Sequence, residues 1–156
     1  MDQKRVPVTR EGLDRLTAEL EELETTKMPI ITAAVAEARS HGDLRENAGY
    51  EAARTDQMMA QRRIEELKQL VRHAEIMEVG GKGPGGTVAL GSTVVVDFDG
   101  DEERYTIVGA VEAKPAAGLI SNESPIGKAL MGRRAGQRAE FRTPAGVTSV
   151  KVLRVE

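Results

Sequence analysis

The first part of the chain carries apolar side chains at helical spacing. Four leucines recur at intervals of three, four and three residues: Leu13, Leu16, Leu20 and Leu23. This spacing is typical of the apolar seam between two packed helices, and Thr9 is predicted to be the N-cap. Pro29 is predicted to kink the helix, because proline has no backbone N–H to donate. The apolar stripe resumes at Ile30, Ile31, Ala34, Val35 and Ala38.

A second helical pattern begins near Asp43, after a short break at residues 40–42. Its seam keeps the same alternation, with one polar member: Tyr50, Ala53, Gln57, Ala60, Ile64, Leu67, Val71 and Ala74. Two seams joined by so short a turn must fold back on each other. The first half is therefore predicted to be an antiparallel α-helical coiled-coil hairpin. Each arm of roughly 30 residues would be about 45 Å long.

Glycine and proline concentrate between the two halves of the chain. The stretch 80–86 contains five glycines and one proline, a composition that cannot continue a helix. We therefore predict two domains, residues 1–79 with the hairpin tip near 40–47, and residues 80–156.

The second half changes to the two-residue period of β-strands. Strands are predicted at 93–98, 104–108, 119–121, 138–142 and 149–155. Asp99-Gly100 predicts a hairpin turn between the first two strands. Ser124 and Pro125 predict the N-cap and first residue of a short helix, which Gly132 ends. The fold class is thus α+β, a helical hairpin followed by a small antiparallel β-sheet domain with one short helix.

The charge balance argues against a free nucleic-acid binder. The chain has 22 basic and 25 acidic residues, a formal net charge of −3, whereas phosphate contacts need clustered lysines and arginines. Aromatic residues make up 3% of the chain, too few for a stacking platform. The lack of cysteine excludes disulfides and thiolate metal sites and suits a reducing cytoplasm. The sequence also contains neither an apolar run of about 20 residues nor the apolar core of a signal peptide.

Asp43 and Glu46 are the strongest candidates for chemistry. They lie three residues apart at the predicted start of a helix, so both carboxylates are expected on one side of the first turn. There they could share a hard divalent cation such as Mg²⁺, with a partner supplying the remaining ligands. A competing interpretation is a capping box, with Asp43 as the N-cap and Glu46 as the third helical residue. The spacing alone favours the cap, and the two roles are compatible.

Two stretches of the chain resemble one known family. The first, residues 33–54, contains the run HGDLREN at 41–47 and is very similar to the hairpin tip of GreA-type transcript-cleavage factors of the bacterial Gre family. The second, residues 119–132, contains SPIGKALMG and is similar to the C-terminal domain of that family. The order of the two stretches matches too, and the resemblance spans nearly the whole chain.

The resemblance implies a cytoplasmic elongation factor whose partner is the RNA polymerase core. In this family the hairpin enters the polymerase secondary channel, and an FKBP-like C-terminal domain grips the channel rim. The resemblance gives Asp43 and Glu46 the catalytic role of holding a second Mg²⁺ jointly with the polymerase and orienting a water. The polymerase then cleaves its own backtracked nascent RNA and regains a 3′ end. We expect a monomer that is not itself an enzyme, binds no Mg²⁺ alone and contacts no membrane.

Further contacts with RNA or polymerase are expected at six positions: Arg39, Arg45, Asn47, Arg54, Ser124 and Pro125. The three arginines would bind RNA phosphate near the tip, and ordinary helix-surface charge is the alternative for each. The hairpin lacks a larger basic cluster, which favours GreA-like action on short backtracks.

Three other functions stay open. The first is a Gre homologue that inhibits the polymerase through the same channel, although Asp43 and Glu46 are the only acids between Ser40 and Asn47. The second is a peptidyl-prolyl isomerase, although fold alone does not carry function. The second half has few aromatic side chains for such a pocket: Phe98, Tyr105 and Phe141. The third is a structural coiled-coil adaptor, which would tolerate Asp43→Asn.

Overall fold

The computed structural model describes residues 5–40 and 48–156. Its contacts divide the chain into two compact units. The helical unit contains the described residues of Leu13–Ala74, and the sheet unit contains those of Lys4–Gly12 and Glu75–Glu156. The domain ranges 1–79 and 80–156 stay a prediction.

The helices of the described chain include three long ones before residue 73: α1 (Arg10–Glu22), α2 (Met28–Ser40) and α3 (Ala48–Arg72). A π-helical stretch, Leu23–Lys27, connects α1 to α2. In it the Met28 N–H donates to the Leu23 carbonyl, five residues earlier. Such a turn contains one residue more than an α-turn and is a recognised cause of helix bending. A π-helical stretch thus lies directly before Met28 and Pro29, and the kink at Pro29 stays a prediction.

The extra residue of the π-helical stretch shifts the apolar seam. Leu16 and Leu23 are buried, and an unbroken heptad would place Ile30 next in the seam. Instead Ile30 is 65% exposed and Ala34 is exposed, so their predicted places in the stripe are wrong. After Met28, which is itself half-buried, the covered positions of α2 lie one residue later, at Ile31, Val35 and Ala38.

Two side-chain contacts show the relative direction of the helices within the helical unit. Arg39, near the end of α2, lies over the ring of Tyr50, near the start of α3. Glu19, in α1, pairs with Arg63, further along α3. The order of contacts is reversed along the two arms, so the predicted antiparallel helical hairpin is confirmed. In the described part of the chain, no helix is both long and apolar enough to cross a membrane.

The strands of the described chain are β1 (Val6–Val8), β2 (Ala74–Ile76), β3 (Thr93–Phe98), β4 (Asp101–Val108), β5 (Leu119–Ser121), β6 (Arg138–Thr143) and β7 (Gly146–Val155). Five of them form one sheet in the order β5-β4-β3-β7-β6. Strand β3 pairs antiparallel with both β4 and β7, and β6 pairs antiparallel with β7. Strands β1 and β2 form a separate two-stranded sheet that the sequence analysis missed.

Strand β5 runs parallel to β4, with Ile120 opposite Ile107. The prediction of a purely antiparallel sheet is therefore wrong at this edge, and the sheet is mixed. Parallel neighbours need a crossover connection rather than a tight turn. Here the connection contains two short 3₁₀ turns, Ala110–Glu112 and Pro115–Ala117.

One face of this sheet and the short helix α4 (Pro125–Leu130) enclose the core of the sheet unit. Its buried members are Val88, Val94, Val96, Ile107, Ile120, Leu130, Ala139, Val150, Val152 and Val155. The predicted hairpin turn is confirmed, because Asp99 and Gly100 have φ values of 52° and 89°. Positive φ at both central residues is the requirement of a type I′ turn.

Candidate functional site

Four predicted site residues lie outside the described part of the chain: Asp43, Arg45, Glu46 and Asn47. Their roles as catalytic acids, metal ligands and contact residues therefore stay predictions. The structure does describe the helices on both sides of them. Helix α2 is described as far as Ser40 and α3 from Ala48, so the acidic segment, residues 41–47, lies between the two arms of the hairpin in sequence.

Arg39 of α2 and Tyr50 of α3 are in contact beside the acidic segment. The Arg39 guanidinium carbon lies 5.8 Å from the centroid of the Tyr50 ring, within the range of a cation–π contact. One Arg39 nitrogen also points to the Tyr50 hydroxyl at 3.5 Å, a long hydrogen bond. This donor and its charge lower the pKa of Tyr50, because they stabilise the phenolate. Tyr50 is half-buried, as a seam residue should be, and its contact with Arg39 is an addition to the predicted role.

Arg54 lies one helical turn after Tyr50 and adds positive charge to the same place. Its guanidinium donates to the Gln57 side-chain oxygen at 2.7 Å, and its charge also lowers the pKa of Tyr50, less than Arg39 does. Arg39 and Arg54 are both exposed. Each guanidinium has five N–H donors, so an intrachain contact leaves donors for an anion.

The predicted contact residues Ser124 and Pro125 begin helix α4. The Ser124 hydroxyl accepts a hydrogen bond from the Gly127 N–H at 3.1 Å and donates to the Ser121 carbonyl at 2.7 Å. Pro125 takes the first helical position, so the predicted capping is confirmed. The Ser124 hydroxyl is thus engaged within its own turn, whereas the Pro125 ring is exposed and is the more available of the two for a partner.

Glu112 makes a contact that the sequence analysis missed. Its carboxylate accepts a hydrogen bond from the Thr9 N–H at 2.6 Å and another from the Thr9 hydroxyl. That hydroxyl in turn accepts from the Gly12 N–H at 3.0 Å, which confirms Thr9 as the N-cap of α1. A carboxylate beside a helix N-terminus is favourable because it opposes the helix dipole. No local pattern could reveal this contact, since Glu112 is distant from Thr9 in sequence.

Both halves of the chain match models of known protein families. Residues 6–76 match the model described as "Transcription elongation factor, N-terminal", and residues 83–156 match "Transcription elongation factor, GreA/GreB, C-term". Transcription elongation factor GreA of Thermomicrobium roseum is 47% identical, and the match covers 100% of both chains. The chain belongs to the GreA/GreB family of transcription elongation factors.

Other relatives agree with membership of the GreA/GreB family. Transcription elongation factor GreA of Syntrophobacter fumaroxidans is 43% identical, with 97% of each chain covered. Among solved structures, the chain is similar to GreA factor homolog 1 (Gfh1) of Thermus thermophilus. That protein is 28% identical, with 98% of this chain and 99% of the other covered, at a TM-score of 0.45. The matches to the GreA proteins of Thermomicrobium roseum and Syntrophobacter fumaroxidans cover both halves of this chain.

Three of the four aromatic side chains of this GreA/GreB family member pack in the sheet unit. Phe98, Tyr105 and Phe141 are partly buried and pack against the core cluster, and burial raises the pKa of the Tyr105 hydroxyl. The side chains that an isomerase pocket would need are therefore in packing contacts. Outside the acidic segment and the first four residues, no three His, Asp or Glu side chains lie together as a metal-binding group.

Proposed function

We propose that this protein stimulates the Mg²⁺-dependent cleavage of backtracked RNA by RNA polymerase. The hairpin enters the secondary channel of the polymerase, and Asp43 and Glu46 reach the active centre and the RNA 3′ end. The polymerase performs the chemistry, so the factor is not an enzyme by itself. It acts in the cytoplasm as a monomer. Full-length similarity to GreA proteins carries the proposal, together with the position of the acidic segment between α2 and α3.

The helical unit suits a probe that works in a narrow space. Helix α3 has 25 residues, which at 1.5 Å per residue make it about 38 Å long. The seam towards the acidic segment uses small side chains, such as Ala38 and Ala53, both half-buried. Small seam residues let two helices approach closely. The arm is therefore long relative to its thickness near the residues proposed to act.

The chemistry of the donor set fits Mg²⁺. Asp43 and Glu46 supply carboxylate oxygens, which are the hard ligands that this cation prefers. Two carboxylates are fewer than the six ligands of an octahedral ion, so the polymerase would complete the site. The bound ion would stabilise charge on the oxygens that change partners during hydrolysis. The role of this protein would be to supply carboxylate ligands to a Mg²⁺ ion that the polymerase alone coordinates incompletely.

Positive charge flanks the acidic segment and supports an RNA contact. Arg39 and Arg54 are exposed on the helical turns beside it, and Arg45 lies within it. Guanidinium groups bind phosphate by paired, charge-assisted hydrogen bonds. We propose that these arginines and Asn47 contact the backtracked RNA or the channel wall. In the sheet unit, exposed Pro125 and the turn capped by Ser124 would contact the polymerase surface.

The test is cleavage of RNA in a backtracked elongation complex of the cognate polymerase with Mg²⁺. We expect Asp43→Asn and Glu46→Gln each to reduce stimulation at least about 100-fold, the usual size for removal of a group that acts only in the transition state. Each variant should compete for polymerase as well as the unmodified protein. Glu51→Gln is the matched control, because Glu51 is an exposed acid in the first turn of α3 and should leave stimulation unchanged.

Other outcomes of this assay point to other functions. Cleavage that persists after both acid substitutions would mean that Asp43 and Glu46 serve only as a helix cap. Polymerase binding without stimulation by any form, with slower nucleotide addition, would favour the inhibitory Gre homologue. A complete lack of binding to polymerase would favour the structural coiled-coil adaptor.

A further inference from the structure

We propose that Tyr50 is a positioning residue that holds Arg39 and thereby fixes α2 and α3 relative to each other on the two sides of the acidic segment. This inference rests on the proposed function and adds to it a residue that touches neither metal nor RNA. The observation behind it is a contact between α2 and α3 beside the acidic segment. The guanidinium of Arg39 stands 5.8 Å from the Tyr50 ring centroid and 3.5 Å from its hydroxyl oxygen.

The place of this contact makes it useful. Arg39 lies two residues before the acidic segment, and Tyr50 lies three residues after it. The seam at this end of the arm has small side chains, such as Ala38 and Ala53, and offers little packing of its own. A cross-helix contact here limits the relative motion of α2 and α3 more than the same contact would near the leucines of α1.

The chemistry of the pair explains why an arginine and a tyrosine fit. The ring face attracts the cation without requiring a buried charge, and Arg39 stays exposed. The second contact, to the phenolic oxygen, adds a preferred direction. The same contact lowers the pKa of Tyr50. A guanidinium held over a ring also keeps edge N–H groups for phosphate, so positioning and RNA contact by Arg39 are compatible.

Two other arginines of α3, both in the described part of the chain, make contacts of a different kind. Arg54 bonds Gln57 on its own helix, so that contact cannot tie α3 to α2. The ion pair that joins α3 to α1, between Arg63 and Glu19, lies several turns from the acidic segment. The Arg39–Tyr50 pair is thus the described cross-helix polar contact nearest the segment proposed to act.

The experiment measures cleavage in backtracked complexes at saturating factor, with the concentrations of factor and Mg²⁺ varied separately. Tyr50→Leu should lower the maximal rate about threefold, the size expected from an exposed cation–π contact. It should raise the Mg²⁺ concentration for half-maximal rate and leave the half-saturating factor concentration unchanged. Tyr50→Phe keeps the ring and should retain most activity. The double variant Arg39→Gln with Tyr50→Leu should be no slower than Arg39→Gln alone.

Ile64→Ala is the control for a merely structural role. Ile64 is a half-buried seam residue further along α3, so its truncation should lower the thermal stability of the hairpin without changing the maximal cleavage rate. Equal losses for Tyr50→Leu and Ile64→Ala at matched stability would overturn the proposal, and so would additive losses in the double variant.

A second measurement separates this inference from the proposed function. Hydrogen exchange in the free protein reports the residues around Arg39 and around Tyr50 without polymerase. Tyr50→Leu should speed exchange in both places, and Tyr50→Phe should not. Unmodified protein that fails to stimulate cleavage would refute the proposed function, whereas unchanged exchange in Tyr50→Leu would refute the positioning role.

Discussion

The two units bury their side chains in different ways. In the sheet unit, residues from several strands and α4 form one cluster in which buried side chains have neighbours on many sides. In the helical unit, the buried positions follow a single seam: Leu16, Leu23, Val35, Ala60 and Leu67. A seam allows a long, thin shape to exist with few buried residues. Because each seam residue supports only its own turns, the helical unit should open locally, whereas the sheet should open as a whole.

The sharpest test of this difference is the same leucine truncation in each unit. Leu130 has 0% exposure in the sheet core, and Leu23 has 8% exposure in the helical seam. Leu130→Ala should cost the sheet unit about 3–5 kcal/mol, since a cavity enclosed on all sides relaxes little. Leu23→Ala should cost about 2–3 kcal/mol, because neighbouring helical turns can close part of the gap. Hydrogen exchange measured on peptides from each unit gives the loss in unfolding free energy for both variants.

The two truncations should also differ in how many strands or helical turns lose protection from hydrogen exchange. Leu130→Ala should lower protection in β3, β4 and β7 together, and Leu23→Ala should lower it only in the turns near residue 23. Val147→Ala is the control in the sheet, because Val147 is 66% exposed and its loss should stay within about 0.5 kcal/mol. Loss of protection throughout both arms after Leu23→Ala would contradict the local character of the seam.

A smaller loss of stability is expected from substitution of Gly127, which is packed closely against the backbone of Ser121. A methyl group at Gly127 would collide with the backbone carbonyl oxygen of Ser121, and a backbone atom cannot swing aside as a side-chain tip can. Gly127→Ala should therefore cost about 1–3 kcal/mol and disturb the turn that presents Pro125. Urea unfolding measures the stability, and competition for polymerase measures the surface.

The neighbouring residue supplies the control for this prediction. Lys128 is exposed on the same helix, so Lys128→Ala should leave stability within about 0.5 kcal/mol. Normal polymerase binding by a destabilised Gly127→Ala variant would show that the turn capped by Ser124 is not part of the proposed contact surface.

The sequence predicted the local features of both units. The leucine spacing located the seam, the caps at Thr9 and Ser124 were correct, and Asp99-Gly100 marked a real turn. Each of these depends on residues close together in the chain. The shift of the seam after Leu23–Lys27 was missed because apolar residues stand at both alternative registers, so the pattern alone could not choose between them.

Features that join distant segments were beyond the sequence pattern. The sequence of a three-residue strand such as β5 does not indicate the direction of the strand. Its parallel pairing with β4 is therefore established only by the structure. The contact of Glu112 with Thr9 is of the same kind. In the candidate site, the residue types were suggested by the sequence, but the meeting of Arg39 with Tyr50 depends on how two helices align.

The smallest expected effect concerns charge on the helical unit. Arg63 donates to both oxygens of Glu19, at 2.8 and 3.0 Å, and this hydrogen bond lowers the pKa of Glu19 below its ordinary value of 4.5. Arg63 also pairs with Glu66 at 3.2 Å, and its own pKa is raised, so it stays charged throughout. A carboxyl group whose pKa is lower in the folded state stabilises that state above its unfolded pKa. The stabilisation is lost as pH falls through the folded value.

The pair should therefore matter at neutral pH and fade below pH 4.5. Its two side chains are 39% and 42% exposed, so solvent screening limits the coupling to about 0.5 kcal/mol. A double-mutant cycle with Glu19→Gln and Arg63→Gln, followed by helix unfolding at pH 7 and pH 3, measures this coupling. A coupling several times larger at pH 7, or one that persists at pH 3, would mean that polar contacts rather than the apolar seam hold this part of the arm. The contrast between a seam and a core would then fail for the helical unit.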